Sequence, residues 1–214
     1  MEKLLRGLAW TAGILAVIGL LLRALVFDVW TVPDDDPKLA ASLVPTLRAG
    51  DIVLVLKRGE IGFGSLVRCV DPQDPTGFIA ARIAGLPGDS LDIDRGQLNV
   101  NGIAYNGESA CPQPSYTILH PTSGEAITVF CDRVKMGGGW HYRTHSKKPL
   151  FAQPKSVATV GEGMVYLLSD DRDYHDDSRD FGPVPRASCK GPIVFRVWGK
   201  GGFFSDPQRF EVIH

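Results

Sequence analysis

DIVLVLKR (residues 51–58) is a compact run of β-branched and aliphatic residues the length of one strand, closed off by Gly50 and Gly59. Working outward, QLNVNGIAYN (97–106) carries Leu98 and Val100, then Asn101-Gly102, then Ile103 and Tyr105. Alternating apolar residues around Asn-Gly are a strong hairpin signal, because both turn positions need a positive φ. MVYLLS (164–169) and PIVFRVW (192–198) read as two further strands. Gly and Pro are scattered throughout, and no stretch after residue 30 sustains a 3.6-residue apolar period, so the class is antiparallel β. The Gly137-Gly138-Gly139 stretch and the basic HYRTHSKK that follows (141–148) read as a mobile surface loop without chemistry.

Upstream of the strands lies LAWTAGILAVIGLLL (8–22), free of charge, followed by Arg23 and Ala24-Leu25-Val26-Phe27. Read from Leu8 to Phe27 this is twenty residues, roughly 30 Å of helix and about one hydrocarbon core. Arg23 sits near the far end, where its stem carries the guanidinium to the headgroups. Trp30 follows at the level where aromatic residues favour the interface. Two readings stand: an uncleaved anchor, or a cleaved secretory signal with a similar basic start. The run continues into LVFDVW without a small-x-small pattern after it, which favours the anchor. With Lys3 and Arg6 ahead of the helix, the positive-inside rule makes residues 1–7 cytoplasmic, 8–27 the transmembrane helix and 28–214 an external domain of a plasma-membrane protein.

The chain has 214 residues, enough for one sizeable domain plus an anchor. Its formal net charge of -1 gives no electrostatic case for nucleic acid as a partner. Cys69, Cys111, Cys131 and Cys189 contain no CxxC pair and no metal-ligand spacing with His, so no zinc site is read from them. Outside the cytoplasm disulfides are expected. Cys111 with Cys131 is the preferred pair; for Cys69 and Cys189 a second disulfide and free buried thiols both stay open.

Four segments, in order, resemble the type I signal peptidase family, serine proteases that remove signal peptides from exported proteins. The anchor end LLRALVFDVWTVP resembles the family's junction between anchor and domain. SLVPTLRAGDIVLVLK (42–57) is similar to its Ser-Met-x-Pro-Thr-Leu, Gly-Asp and following strand. ARIAGLPGDSLDI (81–93) is similar to Lys-Arg-Val-x-Gly-Leu-Pro-Gly-Asp, with GQLNVNG supplying the hairpin after it. SDDRDYHDDSRDFGPVP (169–185) is similar to Gly-Asp-Asn-Arg-Asp-x-Ser-x-Asp-Ser-Arg-x-x-Gly-x-Val-Pro. The boxes leave uncovered an insertion from about 106 to 160 and the C-terminal tail. The resemblance implies a mainly β protein: an N-terminal transmembrane helix followed by an antiparallel-sheet catalytic domain, with no cofactor and no metal.

It also implies roles for particular residues. Ser42 falls on the nucleophile, a hydroxyl that needs a neighbouring base. The family's base is a lysine kept neutral by apolar burial, and its position is Ala81 here. Arg82 cannot replace it, because a guanidinium stays protonated. The family's serine in the last box is His175, the side chain best matched to base duty near neutral pH. Two readings of His175 remain: a relocated base held by Asp177, or one polar residue in a solvated acidic loop. An insertion DDDPK (34–38) precedes the nucleophile, and Ala40 stands where a serine hydroxyl helps hold the oxyanion. Lys57 is a further conceivable base. The aspartates from Asp170 to Asp180 fail the EF-hand pattern, since His175 replaces an oxygen ligand and no glycine follows.

Two functions follow. The first is a membrane-bound serine endopeptidase that cleaves signal peptides from exported preproteins, with Ser42 as nucleophile and His175 as an atypical base. The second is a catalytically inactive relative that binds export signals or assists assembly at the membrane. In both, an exposed strand edge binds an extended peptide by β-augmentation. WGKGGFF (198–204) is read as core packing or as apolar surface facing the bilayer.

Overall fold

The computed structural model describes residues 2–147, 155–204 and 209–213. Helix α1 (Glu2–Leu25) leads into β1 (Phe27–Thr31), and a short helix α2 (Pro37–Ser42) precedes β2 (Ile52–Leu56) and β3 (Leu66–Val70). Next come β4 (Phe78–Gly85), β5 (Ser90–Asp94), β6 (Gln97–Val100) and β7 (Ile103–Tyr105). The insertion supplies β8 (Ser109–Leu119), β9 (Ala126–Met136), β10 (Gly139–His145) and β11 (Ser156–Thr159). The chain closes through β12 (Met164–Leu168), α3 (Ser178–Phe181), β13 (Val184–Pro185), β14 (Cys189–Trp198) and β15 (Glu211–Val212).

All named strand pairings are antiparallel. The main sheet runs β1-β2-β14-β3-β4-β12-β13, with β15 added on β14. A second sheet runs β10-β9-β8 and a third β11-β5-β6-β7. The run DIVLVLKR becomes β2, sandwiched between β1 and β14. The Asn101-Gly102 signal makes the β6–β7 hairpin, with φ of 52° and 83° at the two turn residues. The antiparallel β class and the N-terminal apolar helix are as the sequence predicts.

α1 is long and apolar enough to cross a membrane, and none of its residues is buried. It begins at Glu2 and yields at Phe27 to a strand paired with Leu56, so the helical stretch is shifted toward the N-terminus of the expected 8–27. Lys57 closes its end, donating from Nζ to the carbonyls of Arg23 at 2.8 Å and Ala24 at 3.0 Å. These are orphan carbonyls of the last turn, and the ammonium also complements the helix dipole. Lys57 thus serves as the cap of α1 in this structure.

Two sequence readings are corrected, and a third, left open, is decided. HYRTHSKK is no surface loop: residues 139–145 form β10, paired along its length with β9, while Lys148 lies outside the described residues. The glycines signal a hairpin turn instead, with φ of 58° at Gly137 and 82° at Gly138. A Cβ on Gly137 would meet the Phe63 carbonyl at 1.9 Å, so no other residue fits. Trp30 is no interfacial anchor; it is 7% exposed in a core with Leu39, Leu43, Leu47 and Val53, under the Arg68 guanidinium. Cys69 and Cys189 are not free thiols: β3 and β14 bring them together in a disulfide, alongside the Cys111–Cys131 bridge of β8 and β9.

WGKGGFF continues from β14, where Trp198 pairs with Ile52, which in turn pairs with Thr31. That is the end of the sheet opposite Phe27, on the order of 13 Å along β1 from where α1 enters. Phe203 contacts Trp198, Phe204 and Phe210 edge-on, and Phe204 is 91% exposed.

Candidate active site

The insertion DDDPK builds the helix that carries Ser42. Asp36 is its N-cap, accepting from the Leu39 N–H at 2.9 Å, and Pro37 supplies the fixed φ that suits a first helical position. The helix stops at Ser42 because Val44 precedes Pro45, whose ring disfavours helical backbone before it. Leu39, Ala41 and Ser42 are its buried residues. The Ser42 hydroxyl is fully covered and donates to the Leu39 carbonyl at 2.9 Å.

The hairpin of β8 and β9 packs over this helix, with Ile118 and Val129 joining Ala41, Val44 and Tyr174 in one apolar cluster. Between helix and hairpin runs a groove of about 560 Å³, lined among others by Ala40, Ala41, Val44, Tyr116, Ile118 and Leu119. β8 is the edge strand of its sheet.

Ala81 lies in the middle of β4, fully buried among Val67, Cys69, Ile79, Ile83, Val165, Leu167 and Val184. Next to it on the strand, Arg82 turns the other way and donates from Nε to Asp170 at 2.7 Å and from Nη1 to the Gly64 carbonyl. Thr46 shares the second oxygen of Asp170. This buried pair locks the start of the acidic loop against β4 and the turn after Ser42.

The acidic loop, residues 169–177, is folded by its own carboxylates. Asp171 accepts the N–H groups of Asp173 and Tyr174 at 2.9 and 2.8 Å and gives its own N–H to the Ser42 carbonyl at 3.0 Å. Asp177 caps α3, accepting from Ser169 and Arg179 backbone and from the Arg179 guanidinium. Burial works against its charge, yet Arg179, His175 and the Ser169 N–H hold its carboxyl well below the usual carboxylate range. Lys38 on α2 reaches the loop at Asp176, 2.7 Å away.

His175 stands in this loop with Nδ1 2.9 Å from Asp180 and 3.9 Å from Asp177. The expected partner, Asp177, is already committed to the cap and to Arg179, so Asp180 orients the ring instead. Among the described residues no hydrogen bond joins His175 to Ser42; the loop meets the serine through Asp171. One candidate metal grouping, His175, Asp177 and Asp180, has ligand atoms within 4.8 Å of one another. The Arg179 guanidinium occupies both Asp177 oxygens, so the carboxylate charge there is already matched.

Sequence reading misses Thr144. Its hydroxyl is fully buried between the Val44 carbonyl at 2.9 Å and Asp171 at 2.7 Å. The signal that would find it is the Gly137-Gly138 turn, which puts residues 139–145 back along residues 130–136.

The site thus joins a covered serine at the end of a short helix to an acidic loop, in an antiparallel β domain behind an apolar N-terminal helix. The family described as signal peptidase, peptidase S26, matches residues 5–198, and the chain belongs to that family. Signal peptidase IB of Staphylococcus aureus is 29% identical over 162 residues, covering 73% of each chain. Mitochondrial ATP-independent inner membrane protease subunit 1a of Arabidopsis thaliana is 26% identical over 162 residues, 73% of this chain and 66% of the plant protein. The crystal structure of a signal peptidase I from Enterococcus faecalis V583 aligns with a TM-score of 0.37 at 21% identity, covering 63% of this chain and 97% of that one.

Proposed function

We propose that this chain is a membrane-anchored serine endopeptidase of signal peptidase type, cleaving signal peptides from exported preproteins with Ser42 as nucleophile and His175 as base. The observation that carries it is the Asp180–His175 pair. With Nδ1–H donated to Asp180 at 2.9 Å, the imidazole holds its proton on that side and leaves Nε2 as the basic nitrogen. For reaction the Ser42 hydroxyl swings from the Leu39 carbonyl to Nε2, which takes its proton as Oγ attacks the scissile carbonyl. Lys38, beside Asp176, anchors this loop one helical turn from Ser42. The groove between α2 and the edge strand β8 suits an extended peptide, and Ala40 and Ala41 leave room for small side chains. α1 serves as the single-pass anchor, its basic N-terminus in the cytoplasm and the β domain outside.

A specific observation favours a second reading, a non-catalytic protein that binds export signals or assists assembly at the membrane. Ala81, in the place of the family's lysine, packs in an apolar cluster, and among the described residues the Ser42 hydroxyl bonds the Leu39 carbonyl and no base. The test is cleavage of a model preprotein by the detergent-purified protein, alongside Ser42→Ala and His175→Ala. Cleavage at the signal junction, abolished by both substitutions, supports the first reading. Loss with Ser42→Ala alone keeps the peptidase and removes His175 from the mechanism. Absence of cleavage by the unmodified chain, with intact binding of the preprotein, establishes the second.

A further inference from the structure

One hydroxyl hydrogen has two claimants beside Ser42. The Thr144 hydroxyl oxygen lies 2.9 Å from the Val44 carbonyl oxygen and 2.7 Å from Asp171 Oδ2. A carbonyl only accepts, and an ionised carboxylate only accepts. With Asp171 ionised, the single Thr144 hydrogen leaves one of these two oxygens facing a lone pair at close range, inside a site where Thr144 and Asp171 are both fully buried. With a proton on Oδ2 the conflict disappears: Asp171 donates to Thr144, and Thr144 donates to Val44. The other carboxyl oxygen, Oδ1, already accepts two N–H groups, from Asp173 and Tyr174, and is fixed as the acceptor side.

We propose that Asp171 is a positioning residue whose protonated carboxyl clamps the nucleophile turn at two points, the Ser42 carbonyl through its own N–H and the Val44 carbonyl through Thr144, and whose ionisation loosens the second. It rests on the proposed function only for what Ser42 does. The type I signal peptidase pattern carries an asparagine at this place, and a protonated aspartate presents the same acceptor and donor as that amide. Burial pushes the Asp171 carboxyl up to about 6, against the lowering by Tyr174, Thr144 and Asp173 hydrogen bonds and with the Asp173 charge adding to the rise. The charge that acts on it is that of Asp173, and the Tyr174 phenol feels the Asp171 charge in turn; on β10, Arg143 and His145 are the sequence neighbours of Thr144. Asp132 of β9 is paired with Arg143 and His145, and Lys38 of α2 is paired with Asp176.

The folded pKa is raised above the unfolded value of about 3.9. The stabilisation is therefore complete below about pH 4 and is lost as pH rises through about 6. The test uses the full chain in detergent and follows unfolding from pH 4.5 to 8 for the unmodified protein, Asp171→Asn, Asp171→Ala and Thr144→Val. It adds infrared difference spectra of aspartate-labelled protein for the carboxylic-acid band. Expected are a stability loss across pH 5–7 in the unmodified protein that Asp171→Asn flattens, with stability at pH 7.5 at least equal to the unmodified protein. Asp171→Ala should be destabilised at every pH, and a protonated-carboxyl band should vanish with a midpoint near 6 and be missing in Asp171→Asn. If Asp171→Asn instead destabilises the protein at pH 7.5 and leaves its pH dependence unchanged, or the band is absent at pH 5, the acid is ionised and the proposal falls. These readouts need no cleavage, so they stand or fail separately from the peptidase reading.

Discussion

Lys38 Nζ lies 2.7 Å from Asp176 Oδ1 and thereby ties the helix that ends in Ser42 to the acidic loop that carries His175. Burial pulls the Lys38 amine down, but Asp176, with Asp180 and Asp71 behind it, lifts it above its ordinary value overall. Asp176 is pushed up by burial and partly relieved by Lys38. Lys38→Met removes that relief and raises the Asp176 pKa further. Because Lys38 is half exposed, the expected loss is only about 1 kcal/mol at pH 7. It should shrink as the pH falls and Asp176 takes up a proton, a trend that denaturation followed from pH 7 downward checks.

The Arg82–Asp170 pair is of another kind, since both side chains are almost fully buried. Arg82→Ala strands the Asp170 carboxylate beside Thr46 and is expected to cost about 3–5 kcal/mol. Arg82→Ala combined with Asp170→Asn should recover part of that loss. Urea unfolding of the single and double variants measures the coupling, and additive losses would show that the two do not act as a pair.

The strands were legible because their signals are local: DIVLVLKR between glycines, and Asn101-Gly102 between alternating apolar residues. The boxes around Ser42 and Ala81 carried the resemblance to the family, and with it the expectation of a nucleophile at 42 and a lysine missing at 81. Thr144 was hidden because HYRTHSKK is rich in polar and basic side chains, and burial of His141, Arg143 and Thr144 depends on pairing with β9 and on closure against the acidic loop. Trp30 was misplaced for a similar reason. Its nearness to α1 in sequence suggests lipid, whereas β1 turns it into the domain core. The partner of His175 is set by the α3 cap, which engages Asp177 and leaves Asp180 to meet the ring.

The two disulfides close loops of very different length, 120 residues for Cys69–Cys189 and 20 for Cys111–Cys131. On chain entropy, losing the first costs about 5 kcal/mol and losing the second about 3 kcal/mol. Paired Cys→Ala variants, compared by thermal unfolding, should therefore rank in that order. The first joins β3 to β14 within the main sheet, so its loss should also lower protection of β3 amides from exchange. The second lies in the hairpin over α2, and its loss should be felt chiefly in β8 and β9.

Ala81→Lys is the most direct probe of the missing base. The new side chain enters a cluster of Val67, Ile79, Val165 and Leu167. Desolvation there favours the neutral amine, the state a base requires. The folded pKa then falls below the unfolded value of about 10.4, so the folded state binds fewer protons and stability rises with pH up to that value. Extra bulk in a packed site and the buried amine together should cost about 3 kcal/mol at pH 7, less at pH 9. On the family resemblance, preprotein cleavage should rise about 10²-fold or more and remain dependent on Ser42. A rise that persists in Ala81→Lys combined with His175→Ala means that lysine alone serves the serine. No rise, in a variant that folds and shows the stability trend with pH, would mean that Ala81 does not address Ser42 and that the fully covered hydroxyl is the obstacle.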